Sequence, residues 1–499
     1  MMQTRFCFCG VMGLGLVVLA GCGHAASQQP SLPAGPREAW HAVYHKGKWT
    51  GYLHQVERYE TQGSQPVLVA TIDSRTSMKR NGEGTEVTMK IESVETTDGR
   101  LISFRDETLL GASPTITKGR VEGHTLTLTT EVAGKTSTRT LEWPDDARGF
   151  LAVDQSLLHK PMLPGERRKL RYLVPVLNSL CTEELEALDY ESTEFLSGMK
   201  DLLRIDSTVT LDGGITLNSV RWTDRNGDTM KTEFWAMKQV TYRTSKEDAM
   251  GKDRGLAFDI FDESLVPLAH PLENSRSLRR VRYKVELDDA DPVARFAAGP
   301  TQQVESTGPH TAEITVTSID PQKPSCPGDA SQPTDADREP NETIQSDDAG
   351  VLRLAREAAA GKEKPAEVAL ALEKFVYQKM QKKNYKTPLA TAADVAQTLE
   401  GDCTEHAVLL AALARASGIP ARVAMGLVYA PNHQGFAYHM WTEMYLGDCW
   451  VPLDATLGEG LVPADHIKLA DSNLSTGLAS FLALVNVIGQ LKIEVVSAE

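Results

Sequence analysis

Cysteine is scarce in this chain, with seven residues in 499, far fewer than a disulfide-built scaffold needs. An excess of basic charge is missing as well. Lys and Arg total 52 against 67 Asp and Glu, a formal net charge of −15. Nucleic-acid binders usually carry a basic footprint, so no nucleic-acid partner is expected. A phosphate-cradling glycine loop, an EF-hand loop and a dinucleotide fingerprint are all absent, so no cofactor is expected. Cys403 and His406 have a ligand-like spacing, but no second ligand pair accompanies them. Neither a metal nor a ligating role for His406 is therefore expected, and His406 reads as a helix-surface histidine. Compositional extremes are lacking too: 41% hydrophobic and 24% charged residues describe a globular chain and exclude wholesale disorder. At about 150 residues per domain, the length predicts roughly three domains.

The first 21 residues read as an address. Arg5 supplies a positive n-region, and Val11 to Ala20 is an apolar stretch too short to span a bilayer comfortably. It leads into Leu19-Ala20-Gly21-Cys22, which resembles the lipobox of bacterial lipoproteins. That resemblance implies cleavage before Cys22, with Cys22 as the lipidated N-terminus. Acyl chains there would hold the protein on a membrane, since each buried CH₂ contributes about 0.8 kcal/mol. Gly23 and His24 offer no acidic retention signal. The expected location is the cell envelope, on the outer membrane facing the periplasm.

Residues 22–36 form a polar tether rich in Ser, Gln and Pro. From 37 to 250 the pattern is antiparallel β, in one or two curved sheets. Val87, Met89 and Ile91 alternate with Glu86, Thr88, Lys90 and Glu92, the period of a half-buried strand. Asp98-Gly99 and Asn226-Gly227 suit hairpin turns with positive φ. Helical periodicity surfaces only around Thr182 to Asp189. A second, small β segment is expected over 251–320, followed by a Pro-rich linker over 321–346 whose composition cannot bury enough apolar surface to fold alone. Helical spacing of Val368, Ala369, Leu372, Phe375, Val376 and Met380 then marks an amphipathic helix. It opens a separate α+β domain over 347–499. The fold class is multidomain α+β, with the β-rich antiparallel region first.

Chemistry concentrates in that last domain. Gly401-Asp402-Cys403-Thr404-Glu405-His406 opens a helix that Gly418 and Pro420 close. Cys403 therefore sits at a helix N-terminus, where the partial positive charge favours thiolate. Ala421 to Ala430 reads as a strand, and Tyr438 to Leu446 as another that turns at Gly447-Asp448 into Trp450 to Thr456. A hairpin turning there brings Asp454 beside His439. Glu443 shares the face of His439 but lies roughly 13 Å along the strand at about 3.4 Å per residue. Asp454 is thus the carboxylate that can orient His439, which in turn can activate Cys403.

The segments GDCTEHAVLLAALARASGIPARVAMGLVY and YHMWTEMYLGDCWVPLDAT resemble the transglutaminase-like domain of bacterial proteins, itself similar in core layout to papain-type cysteine proteases. The resemblance covers about 350–470. It implies Cys403 as nucleophile, His439 as general base and acid, and Asp454 as the residue orienting His439. One oxyanion donor would be the Cys403 backbone N–H; the second stays open among Gln397, Gln378 and Tyr385. The run from Trp40 to Tyr44 and from Gly47 to Tyr52 loosely resembles the start of secreted proteins that end in such a domain. Substrate docking, lipid binding and spacing from the membrane are all open roles for the β-rich region.

The expected function is that of a lipid-anchored envelope cysteine enzyme acting on amide or acyl groups of a protein or peptide through a thioester. Hydrolysis is favoured over cross-linking, because Trp441 alone lines the face of His439 and no calcium loop is visible. The alternative is a non-catalytic envelope scaffold or peptide-binding lipoprotein. Among the other cysteines, Cys449 is expected buried and reduced, and Cys181 with Cys326 is the candidate disulfide in a disulfide-permissive compartment.

Overall fold

The computed structural model describes residues 35–499 apart from 175, 213–214, 236–237, 252–257, 289, 327–330, 476–479, 482–483, 485–486 and 488. The expected signal peptide and Cys22 lie outside the described residues.

Among the described residues, fourteen antiparallel strands and a fifteenth, Ala147–Arg148, paired in parallel with Arg167–Val174, build a single sheet between Arg37–His45 and Gln239–Thr244 in the sequence. The first strand is its centre. Arg37–His45 pairs with Lys48–Gln62 on one side and with the last strand, Gln239–Thr244, on the other. One wing runs outward to Lys135–Glu142, and the other ends with Arg167–Val174 and Ala147–Arg148. The wings curl toward each other: Leu101, Phe104, Leu126 and Leu128 share a core with Leu173 and Leu180, and Arg139 donates to the Asn178 carbonyl at 3.0 Å. Gly99 and Gly227 take positive φ of 81° and 83° at their turns, as the dipeptides require.

Two local expectations differ here. Thr182 to Asp189 belongs to the strand Ser179–Phe195, not to a helix. Alternation holds physically, but one inward position is Glu183, which pairs with Arg221 at 2.9 Å and accepts from the Tyr172 hydroxyl at 2.6 Å. A buried glutamate hides a period of two from any reading by polarity. Helix instead forms at Ala152–His159.

The remaining chain packs in three layers around a mixed core. The central sheet holds Val266–Pro267, Gly435–Leu446, Ala421–Ala430 and His466–Ser472, with Cys449–Leu453 paired beside Gly435–Leu446. One face of it buries Val423, Met425, Met440 and Met444 against the helices Ala349–Ala358, Pro365–Lys379, Ala392–Thr398 and Cys403–Ala416. The other buries Leu427, Tyr429, Phe436 and Ile467 against a four-stranded sheet of Arg280–Leu287, Gln302–Gly308, Thr311–Thr317 and Leu491–Ala498. The 251–320 segment thus shares its core with the strands of the last domain.

The Pro-rich stretch is a strap rather than a free linker. Cys326 is disulfide-bonded to Cys449, Trp450 donates to the Ser331 carbonyl at 2.8 Å, and Arg415 to the Glu339 carbonyl at 2.7 Å. Its own composition cannot make a core, so partners in the domain hold it. This pairing corrects the cysteine assignment: Cys449 is buried but oxidised, and Cys181 is a free thiol inside the sheet.

Candidate active site

Asp402 caps the helix Cys403–Ala416. Its side chain accepts from the Thr404 N–H at 2.9 Å, while the Glu405 carboxyl accepts from the Asp402 N–H at 3.0 Å. This reciprocal capping box fixes where the helix begins and makes Cys403 its first residue. Gly401 precedes it with φ of 152°. A Cβ there would fall 2.3 Å from Cβ of Glu405, so only glycine lets the box close. The helix is buried from Thr404 to Arg415, which anchors it rigidly. As the first helical residue, Cys403 presents a backbone N–H with no acceptor inside the helix.

Gly435–Leu446 lies next to Ala421–Ala430, with His439 opposite Gly426. The hairpin closes with Leu446 opposite Cys449, and the chain leaves Cys449–Leu453 directly into Asp454. His439 Nε2 and Asp454 Oδ2 are 2.7 Å apart. The Cys403 side chain lies close enough to the imidazole to favour its charged form. The three residues singled out in the sequence therefore meet. Burial opposes charge on His439, but Asp454 and Cys403 outweigh it and push the imidazole up to about 10. Burial likewise penalises the Asp454 carboxylate, yet His439 and His466 hold it well below the usual carboxylate range.

Glu443 plays a different part. It faces Arg422 at 2.9 Å and Lys468 at 2.8 Å, a buried ion cluster away from His439. Of the three open oxyanion candidates, Gln378 and Gln397 are exposed. Tyr385 is half-buried and close enough for Asp402 and Cys403, after burial itself, to raise its phenol. His406 is buried, not on the helix surface. Its Nδ1 contacts the Asp402 carbonyl at 2.5 Å and its Nε2 the Met380 carbonyl at 3.2 Å, and burial with Lys383 nearby pushes it down to about 4.

Two contributors escaped the sequence reading. His466 lies 3.3 Å from Asp454 Oδ2 through Nε2 and 2.7 Å from Asp465 Oδ1 through Nδ1. The adjacent Asp465-His466 pair was the available signal. Nitrogen and oxygen atoms of His439, Asp454 and His466 lie within 4.8 Å of one another; the contacts there are imidazole–carboxylate hydrogen bonds, so this is a hydrogen-bonded chain. The second contributor is Arg80, from the distant sheet. It pairs with Asp402 at 2.7 Å and donates to the Thr387 carbonyl at 2.6 Å. The hairpin between Gln65–Arg80 and Glu83–Thr96 thus abuts the residue preceding Cys403.

Residues 352–455 match the transglutaminase-like superfamily, so the chain carries a C-terminal transglutaminase-like domain. No curated protein matches the chain. Among solved structures, it resembles a candidate cysteine protease from Cytophaga hutchinsonii at 19% identity and TM-score 0.28, covering 43% of this chain and 82% of that one. The periplasmic domain of TgpA from Pseudomonas aeruginosa, bound to ethylmercury, is similar at 19% identity and TM-score 0.25, over 36% and 76%. A β-barrel-like protein of unknown function from Brucella abortus is similar at 10% identity and TM-score 0.29, over 42% and 94%.

Proposed function

We propose that this protein is a cysteine enzyme that opens amide bonds of a protein or peptide through an acyl-thioester, with water as the preferred acceptor. The observation that carries this is the contact series Cys403, His439, Asp454, with His439 Nε2 and Asp454 Oδ2 at 2.7 Å. Cys403 sulfur attacks the carbonyl carbon, and the oxyanion forms beside the Cys403 backbone N–H at the helix start. His439 then gives its proton to the leaving amine, and later takes one from the attacking water. Asp454 fixes the ring and stabilises its charged form. The protein is further proposed to work in the cell envelope, anchored by lipid on Cys22.

Two experiments test these readings. The full chain is incubated with glutamine-containing peptides and excess labelled primary amine, beside a Cys403→Ala control. Ammonia and free acid formed only with Cys403 support hydrolysis. Stable label that depends on Cys403 would make the enzyme a transferase, and no product of either kind would leave a peptide-binding scaffold. For the anchor, Cys22→Ala is expected to release the protein from membranes; retention in full would remove the lipid from the proposal.

A further inference from the structure

The chain of contacts does not stop at Asp454. His466 is the first residue of the strand His466–Ser472 and stands opposite Val428 of Ala421–Ala430. Its ring is buried and its edge meets Trp441, with ring centroids 5.2 Å apart. Each ring nitrogen faces a carboxylate oxygen: Nε2 faces Asp454 Oδ2 at 3.3 Å and Nδ1 faces Asp465 Oδ1 at 2.7 Å. Ionised carboxylates only accept, so satisfying both requires a proton on each nitrogen. Asp465 continues to Arg276, whose Nη1 lies 3.3 Å from Oδ2. From the nucleophile outward the groups read Cys403, His439, Asp454, His466, Asp465, Arg276, with acidic and basic side chains alternating.

The decisive detail is which oxygen is shared. His439 and His466 both approach Oδ2 of Asp454, at 2.7 and 3.3 Å, while Oδ1 accepts from the Thr456 N–H at 2.8 Å. A buried carboxylate with one imidazole partner holds that partner's proton tightly. A general acid must also let it go, and proton transfer is most efficient when donor affinity is matched to the operating pH. We propose that His466 is a positioning residue held as an imidazolium, which shares Asp454 with His439 and limits how strongly Asp454 retains the proton that His439 must donate. This rests on the cysteine-enzyme reading above for its purpose, though not for the charge state itself.

The groups that act on His466 come from every neighbouring element. Asp454 follows Cys449–Leu453, His439 comes from Gly435–Leu446 with its ring 5.8 Å away, and Asp465 adjoins it in sequence. Glu459 reaches it from the loop between Asp454 and Asp465, and Arg276 acts through Asp465. Glu373, Lys383 and His406 bear on Asp454 from the helical side. Burial works against a charged His466, but Asp454 and Asp465 outweigh it and raise its proton affinity.

The test is nitrogen NMR on the full chain labelled with ¹⁵N-histidine, read alongside iodoacetamide alkylation of Cys403. In the wild type, both nitrogens of His466 are expected to stay protonated from pH 5 to 8. In His466→Gln, Asp454 acts on His439 alone, so His439 is expected to lose its proton about one pH unit higher. Asp465→Asn leaves the ring but removes the carboxylate that keeps it charged, and should move His439 the same way. A merely structural role predicts the reverse, because a loosened Asp454 would lower the titration of His439. A neutral His466 at pH 7, or an unchanged or lowered His439 titration in folded variants, would overturn the proposal. If neither variant folds, the wild-type spectrum of His466 still decides it. Should wild-type Cys403 alkylate below pH 7 no faster than a free thiol, the enzyme reading fails separately.

Discussion

Glu95 in the curled sheet and Asp454 in the transglutaminase-like domain are both carboxylic acids with almost no exposed surface, at 0% and 3%. Their charge states diverge. Burial pushes Glu95 up to about 7; the Ser93 hydroxyl, donating at 2.9 Å, pulls it back only in part, and its second oxygen has no partner among the described residues. Asp454 pays the same desolvation but meets two imidazoles and a backbone N–H, and stays ionised. Depth does not decide whether a buried acid carries charge; the donors around it do. The sheet holds an acid that keeps its proton until about pH 7, and the candidate site holds a carboxylate that stays ionised.

The sharpest way to break that contrast is to remove the anion without removing its shape. Asp454→Asn should cut turnover on the order of 10²–10⁴-fold, with circular dichroism unchanged and the titration of His439 falling from about 10. Full activity in this variant would show that His439 needs no carboxylate.

Next in size is the covalent link, which only the second region possesses. Cys326 and Cys449 are 123 residues apart, and removing such a closure costs about 3–5 kcal/mol. Cys326→Ser should bring the transglutaminase-like domain to unfold at lower urea, reported by Trp450 fluorescence. The sheet should hold, reported by Cys181, whose thiol is buried and pushed up to about 12 by that burial. Early labelling of Cys181 in the variant would mean that the two regions unfold together.

Glu95→Gln sharpens the comparison from the other side. The folded state of the wild type prefers the neutral acid, so no penalty exists below the unfolded value near 4.5. The penalty grows as pH rises and is complete above about 7. Wild type should therefore lose about 3 kcal/mol relative to Glu95→Gln between pH 4.5 and 8, measured by urea unfolding at each pH. Asp454 runs the opposite way: its contribution is present above the usual carboxylate value and is lost only in strong acid. A flat difference between wild type and Glu95→Gln would place the charge of Glu95 elsewhere.

The smallest effect concerns the contact between the regions. Arg80→Ala, losing a largely buried pair with Asp402, should lower stability by about 1–2 kcal/mol, since Asp402 keeps its Thr404 N–H partner. Slower alkylation of Cys403 in that variant would show that the sheet also steadies the helix start.

Legibility followed the range of the interactions. Cys403, His439 and Asp454 come together through a capped helix and one tight hairpin, features of neighbouring residues that periodicity and turn chemistry expose. His466 joins only because His466–Ser472 pairs with Ala421–Ala430, after a connection without regular pattern. The alternation of strands before 250 was readable, whereas the pairing of Arg37–His45 with Gln239–Thr244 was not, since it joins residues some 200 positions apart. The same holds for Cys326 and Cys449: nothing near either residue indicates that a strap passes that hairpin.

The position of Leu491–Ala498 sets the order in which the protein can be made. It pairs with Arg280–Leu287, which in turn supports the sheet carrying His439 and His466. The curled sheet contains all its pairings among the described residues by Thr244 and can close while the rest of the chain is still emerging. The layer behind the candidate site waits for a strand some 200 residues further on, and contacts of such long range form slowly. The arrangement of Cys403, His439 and His466 is therefore among the last features the emerging chain acquires.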